Sequence, residues 1–259
     1  MTALDVSHHS GSLQLQKLRA ARDAGVTRLV VGTQHHEIAR QQAGVALMLG
    51  LEVQAYVYLY FAANTAERVR RDLPLLRAIG ATRYWLDAED TPPGMSADAK
   101  VAGLRAAVEA AAAAGVPHGI YTARWWWTQH AGNTTEFAHL PLWTAQWDGQ
   151  ADLHVFTAYG GWKSLSMKQY RPATAAEVKA GGVWFPDQAT GVWCDVNAYA
   201  EAPVAAPPPP AVPGVGLDQR TQLRGVLEQL KRDGALVRNS GDAMVQRADA
   251  ALALLGGES

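Results

Sequence analysis

The 259-residue chain is predicted to be an α/β protein: an irregular (β/α) barrel of TIM-barrel type, then a Pro-rich linker and a short helical C-terminal segment. Three observations carry this. Strand-like and helix-like segments alternate up to Ala200, the pattern of βαβ units with a parallel sheet. Seven or eight strand-like segments suggest a closed or nearly closed barrel. The composition then changes at "EAPVAAPPPPAVPG", Glu201 to Gly214, which reads as a stiff, extended connection. The expected boundaries are a barrel over 1–202, a linker over 203–214 and a tail over 215–259.

The elements follow in order. "TALDVS" (2–7) is the first strand, and "SLQLQKLRAARDAG" (12–25) carries apolar residues at helical spacing and stops at Gly25. "RLVVGT" (28–33) is the second strand, followed by a helix that stops at Gly50. "EVQAYVYLYF" (52–61) is the third, and "TAERVRRDLPLLRAIG" (65–80) is the helix after it. "RYWLDAE" (83–89) is the fourth, and the Ala-rich helix that follows opens on a Ser96 cap and stops at Gly115. A glycine just past the last periodic residue is the expected helix stop. "HGIYT", "LPLWTAQW", "SLSMKQY" and "GVWCDV" complete the strands. Helices are less clear after Pro141, so short or antiparallel elements are expected there.

In the tail, Leu223, Leu230, Val237, Met244 and Ala251 repeat every seven residues, while Gly234 and Gly241 weaken the pattern. A coiled coil and a helical hairpin both fit, with self-association or a partner protein through 215–259 in either case. Such a tail is too small to hold a sizeable core alone.

Bulk composition narrows the function. The chain is 48% hydrophobic and 18% charged, enough apolar content for a full core. Its 23 basic and 24 acidic residues give a net charge of −1, not the basic balance of a nucleic-acid binder. One cysteine, Cys194, excludes an internal disulfide and most zinc sites. No basic-then-apolar leader opens the sequence and no uninterrupted apolar run approaches about 18 residues, so neither secretion by signal peptide nor a membrane span is expected. Nine tryptophans suit sugar faces, although each also serves as core.

The chemistry concentrates in "WLDAED". Asp87 and Glu89 are two apart in a strand pattern and so share a face, with Cα atoms about 6.5–7 Å apart. Asp90 faces the other way or begins the loop before Pro92. Barrel active sites lie at the C-terminal ends of strands. Asp5 in "LDVSHH" and Asp195 in "CDVNAY" occupy comparable places on the first and last strands, which become neighbours when a barrel closes. A single such acid is more simply a cap or an arginine partner; four converging on one mouth are not. Clustered, partly buried carboxylates push their pKa values apart, which suits glycoside cleavage.

"LDVSHHSG", "AYVYLYF", "WLDAED", "GIYT", "LPLWTAQWDG", "MKQY" and "CDVNAY" appear in the order seen in glycoside hydrolase family 25, which the chain resembles over Thr2 to Ala200. These are N-acetylmuramidases of bacteria and phages. The resemblance implies a lysozyme acting on bacterial peptidoglycan, a phage lysin or a wall-degrading virion protein, released by a separate factor or carried in the particle. It implies that Glu89 protonates the glycosidic oxygen, that Asp87 orients the substrate's acetamido group, and that Asp5 and Asp195 line and tune the site. Tyr56 or Tyr58, Tyr121 and Trp143 would contact sugar, and Gln169 and Asn197 would lie near the cleft floor. No cofactor and no metal are implied. Lys168 stands where the family usually has Trp, and "VVGTQHHE" departs from the usual second strand. These departures keep open a second reading, a weak or inactive barrel serving as a glycan-binding or structural phage protein, and a third, action on another polymer.

His8–His9 and His35–His36 lack metal-ligand spacing; His9 or His35 meets sugar or an acid in the cleft, or they are loop residues. Cys194 should face the packed shell, because strand alternation opposes it to Asp195. "RWWWTQH" is a platform at the cleft rim or a cover for the barrel edge.

Overall fold

A computed structural model describes residues 1–173 and 193–200, which fall within one unit, Met1–Ala206. The linker and the heptad tail lie outside the described residues. Eight strands close a barrel in sequence order: β1 Thr2–Val6, β2 Val26–Gly32, β3 Glu52–Tyr58, β4 Tyr84–Asp87, β5 His118–Ala123, β6 Leu142–Ala145, β7 Met167–Arg171 and β8 Asp195–Tyr199. The first seven run parallel. β8 runs antiparallel to both β7 and β1, with Asp5 opposite Asp195, so the irregularity expected late in the chain is a reversed closing strand.

Helices α1 Leu15–Asp23, α2 His36–Met48, α3 Thr65–Ala78 and α4 Ala97–Ala113 follow the first four strands. Ser96 caps α4 by accepting the Ala99 N–H at 3.2 Å, and Asn64 caps α3 by accepting from Glu67. Gly25, Gly50, Gly80 and Gly115 all have positive φ just past these helices, the conformation that ends a helix with least strain in glycine. A short α5, Arg124–His130, follows β5 directly.

Strand alternation divides the core. Leu4, Val6, Leu29, Val31, Val57, Leu86 and Ile120 face the helices. Ala3, Val30, Trp85, Tyr121, Trp143, Met167 and Tyr199 fill the lumen. Cys194 packs in the outer shell, as alternation requires. Trp126 and Trp127 are buried in that shell, while Trp125 is exposed, so the triple Trp is mostly cover for the barrel side.

The lumen is polar at its lower end too. Arg28 donates to Glu52 at 2.8 Å and lies 3.6 Å from the Tyr199 ring centroid. One layer higher, Trp85 Nε1 donates to Gln54 Oε1 at 2.7 Å. These groups plug the lower end of the barrel.

Candidate active site

Six of the eight strands deliver lumen-facing groups to the upper end. β1 supplies Asp5, β3 Tyr56 and Tyr58, β4 Asp87, β5 Tyr121, β7 Gln169, and β8 Asp195 and Asn197. β4 ends at Asp87, two residues earlier than the sequence pattern suggests, because the chain turns toward Pro92. Extended pairing nevertheless persists one residue further: the Ala88 N–H donates to Tyr121 O at 2.9 Å. Glu89 therefore still meets the cluster, and its charge acts on Asp5 and Asp87. Asp90 turns away and accepts the Phe61 N–H at 2.9 Å.

Gln169 is the hub. Its amide nitrogen donates to Asp5 Oδ2 at 3.1 Å and Asp195 Oδ2 at 3.2 Å. Its oxygen accepts from Tyr121 OH at 3.0 Å and Trp147 Nε1 at 2.9 Å. Asn197 donates to Asp5 Oδ2 at 2.7 Å and accepts from Trp143 Nε1 at 2.8 Å. The Ala173 N–H donates to Asp195 Oδ1 at 2.7 Å. Gln169 and Asn197 are buried, so they hold the carboxylates in place rather than present a surface.

Burial dominates the electrostatics. Asp5 is pushed up to about 7, first by burial and then by Asp195, against the opposing bonds from Asn197 and Gln169. Burial and the charges of Glu89 and Asp5 hold the Asp87 carboxyl well above the usual carboxylate range. Glu89 is raised by burial and then by Asp195. Burial also raises Asp195, opposed by the Ala173 N–H. Asp87 Oδ1 is buried without a hydrogen-bond partner among the described residues. An acceptor left so costs free energy until a donor arrives.

The aromatic residues divide. Tyr58 is half-buried at the rim and packs 4.8 Å from Tyr60. Tyr56 lies deeper, and its hydroxyl crosses Gly32, where any Cβ would lie 2.7 Å away. Trp143, expected to touch sugar, is only 1% exposed. It packs 4.3 Å from Tyr121 and forms the floor, because β6 directs it into a lumen already filled by Trp85. Trp147 was missed as a site residue. It is 63% exposed, and its indole N–H is tied to Gln169 beside the carboxylates. Its place after the β6 motif was the available signal.

Lys168 lies outside the site. Met167 and Gln169 face the lumen, so Lys168 faces outward, where its ammonium donates to Asp148 Oδ2 at 2.8 Å and Val155 O at 3.2 Å. It anchors the loop after β6. Sequence reasoning also missed Asp72 on α3, whose buried carboxylate accepts from Thr33 and Tyr84 and bonds His36 at 2.8 Å.

A family model described as Glycosyl hydrolases family 25 matches residues 4–177. The chain is 34% identical over 86 residues to the probable GH family 25 lysozyme 4 of Dictyostelium discoideum, a match covering 33% of this chain and 40% of that protein. The match thus spans less than half of that relative. Among solved structures, a family GH25 lysozyme from Aspergillus fumigatus is similar with a TM-score of 0.59 and 19% identity, over 78% of this chain and 94% of that one. The modular Cpl-1 endolysin complexed with a peptidoglycan analogue is similar with a TM-score of 0.52 and 18% identity, over 78% of this chain and 56% of that one.

Proposed function

The chain belongs to glycosyl hydrolases family 25, and from that membership we propose that it is a peptidoglycan hydrolase cleaving the β-1,4 bond between N-acetylmuramic acid and N-acetylglucosamine. The observation that carries this is the convergence of four carboxylates with raised pKa values at one end of the barrel, where Asp87 Oδ1 is buried without a partner among the described residues.

In the proposed reaction Glu89 enters protonated, as its raised pKa favours, and gives its proton to the leaving glycosidic oxygen. The substrate's own acetamido oxygen attacks the anomeric carbon as the C–O bond breaks. Asp87 Oδ1 accepts the acetamido N–H, which orients that group for attack. Glu89, now ionised, takes a proton from water as it opens the cyclic intermediate, and a new reducing end forms. This route departs from the usual two-carboxylate scheme in using the substrate as nucleophile. Asp195, fixed by Gln169, is the charge that adds to burial in raising Glu89.

The test is release of reducing ends from purified bacterial walls, with the reduced sugar identified. Glu89→Gln should lower turnover by about 10²- to 10⁴-fold, the range for losing a general acid. Equal turnover by both proteins, or reducing ends on N-acetylglucosamine alone, would sink the assignment.

Action on the bacterial wall in the manner of a phage lysin or virion protein belongs to the same proposal. Fractionating producing cells and particles would check it. Self-association through 215–259 is checked by sedimentation of the full chain against one ending at Ala202, where equal protomer stoichiometry removes the idea.

A further inference from the structure

Four rings form a row on one side of the mouth. His8 lies 3.8 Å from His9 and 4.4 Å from His35, centroid to centroid, and His9 lies 6.2 Å from Trp193. The row is placed over the acids by register. Asp5 is opposite Asp195, His8 and His9 follow Asp5 by three and four residues, and Trp193 precedes Asp195 by two. His35 follows β2, the neighbour of β1.

We propose that the row Trp193–His9–His8–His35 is a subsite for carboxylate groups carried on substituents of the glycan, a proposal that rests on the peptidoglycan reading above. The rings are tilted at 39°, 43° and 36° to their neighbours and set in a line rather than around a centre, so they offer separate N–H edges rather than a converging metal cage. Other imidazoles are committed to the fold: His36 bonds Asp72, and His118 bonds Val116 O at 2.8 Å. Among the described residues no acceptor holds the rings of His8, His9 or His35, and His8 Nδ1 is buried without a partner.

The loops beneath the row are clamped. Gln42 of α2 donates to Ser7 O at 2.8 Å and Gly11 O at 2.9 Å, and Gln41 bonds Leu13 through both backbone groups. His36, next to His35, is tied to Asp72. Rings held in place lose little freedom when a ligand arrives.

Charge argues the same way. An acidic substituent approaching this mouth meets Asp5, Asp87, Glu89 and Asp195 below it. Ring N–H groups give such a carboxylate hydrogen-bond donors at the rim. Among the described residues, Glu37 of α2 and Arg71 of α3 line an adjoining cleft with His35 and His36.

The experiment measures binding calorimetrically with the full-length Glu89→Gln protein, whose turnover is expected to be about 10²- to 10⁴-fold slower. The ligands are a muramyl-peptide disaccharide, which is acidic, and a chitin oligosaccharide, which is neutral, at pH about 5.5 and about 7.5, either side of the ordinary imidazole value. The acidic ligand should gain about tenfold over the neutral one at the lower pH, a charge-assisted bond's worth. His8→Gln, His9→Gln and His35→Gln together should erase that gain. His9→Gln alone, at an exposed ring, should reduce it and guards against misfolding of the triple variant. A gain that survives in both variants comes from the floor carboxylates and overturns the subsite, as does no gain at all while wild type still releases reducing ends from walls. Wild type that releases none overturns the peptidoglycan reading itself.

Discussion

Asp5 shows how one side chain couples stability to function. Its folded pKa of about 7 lies above the unfolded value of 3.8, so the native state holds a proton that the unfolded chain has lost. Its contribution to stability is complete below the unfolded value and declines as pH rises through 7, by about 1.4 kcal/mol per pH unit in between. Asp5→Asn should therefore flatten the pH dependence of the melting temperature between pH ~4 and ~7, read by calorimetry. Asp195 is the main charge raising Glu89, so Asp195→Asn should move the alkaline limb of the rate profile to lower pH. An unmoved limb would detach Asp195 from Glu89. Gly32→Ala should lower activity by displacing Tyr56, visible as reduced turnover with a near-native melting temperature.

At the scale of elements, the acids were legible because strand period and barrel geometry are simple rules. Asp5, Asp87 and Asp195 lie on strands, where alternation alone assigns a face. Glu89 lies past the end of β4 and reaches the site only because pairing with β5 persists through Ala88. Trp143 was misread for a related reason: alternation says that it faces the lumen, but not how full the lumen is. Asp72 was invisible because its partners come from β4, α2 and the loop after β2, far apart in sequence. Asp72→Ala should cost about 3–5 kcal/mol, the range for breaking a buried charged network, measured by denaturant unfolding.

Over the whole molecule, the two ends of the barrel do different work. The lower end is closed by the Arg28–Glu52 pair against Tyr199, and the upper end gathers carboxylates that repel one another. Arg28→Ala should destabilise the fold by about 3–5 kcal/mol while leaving kcat nearly unchanged. A large fall in kcat at temperatures where the variant is folded would show that the two ends are coupled. The sequence by itself determined the barrel, its helix stops and the four acids, because those follow from periodicity and from local backbone chemistry. Only the tertiary structure decided that β8 closes the barrel in reverse, that Gln169 joins Asp5 to Asp195, and that Lys168 lies outside the site. Those depend on which strands become neighbours and on how much room the lumen leaves, and both are properties of packed contacts between residues distant in the chain.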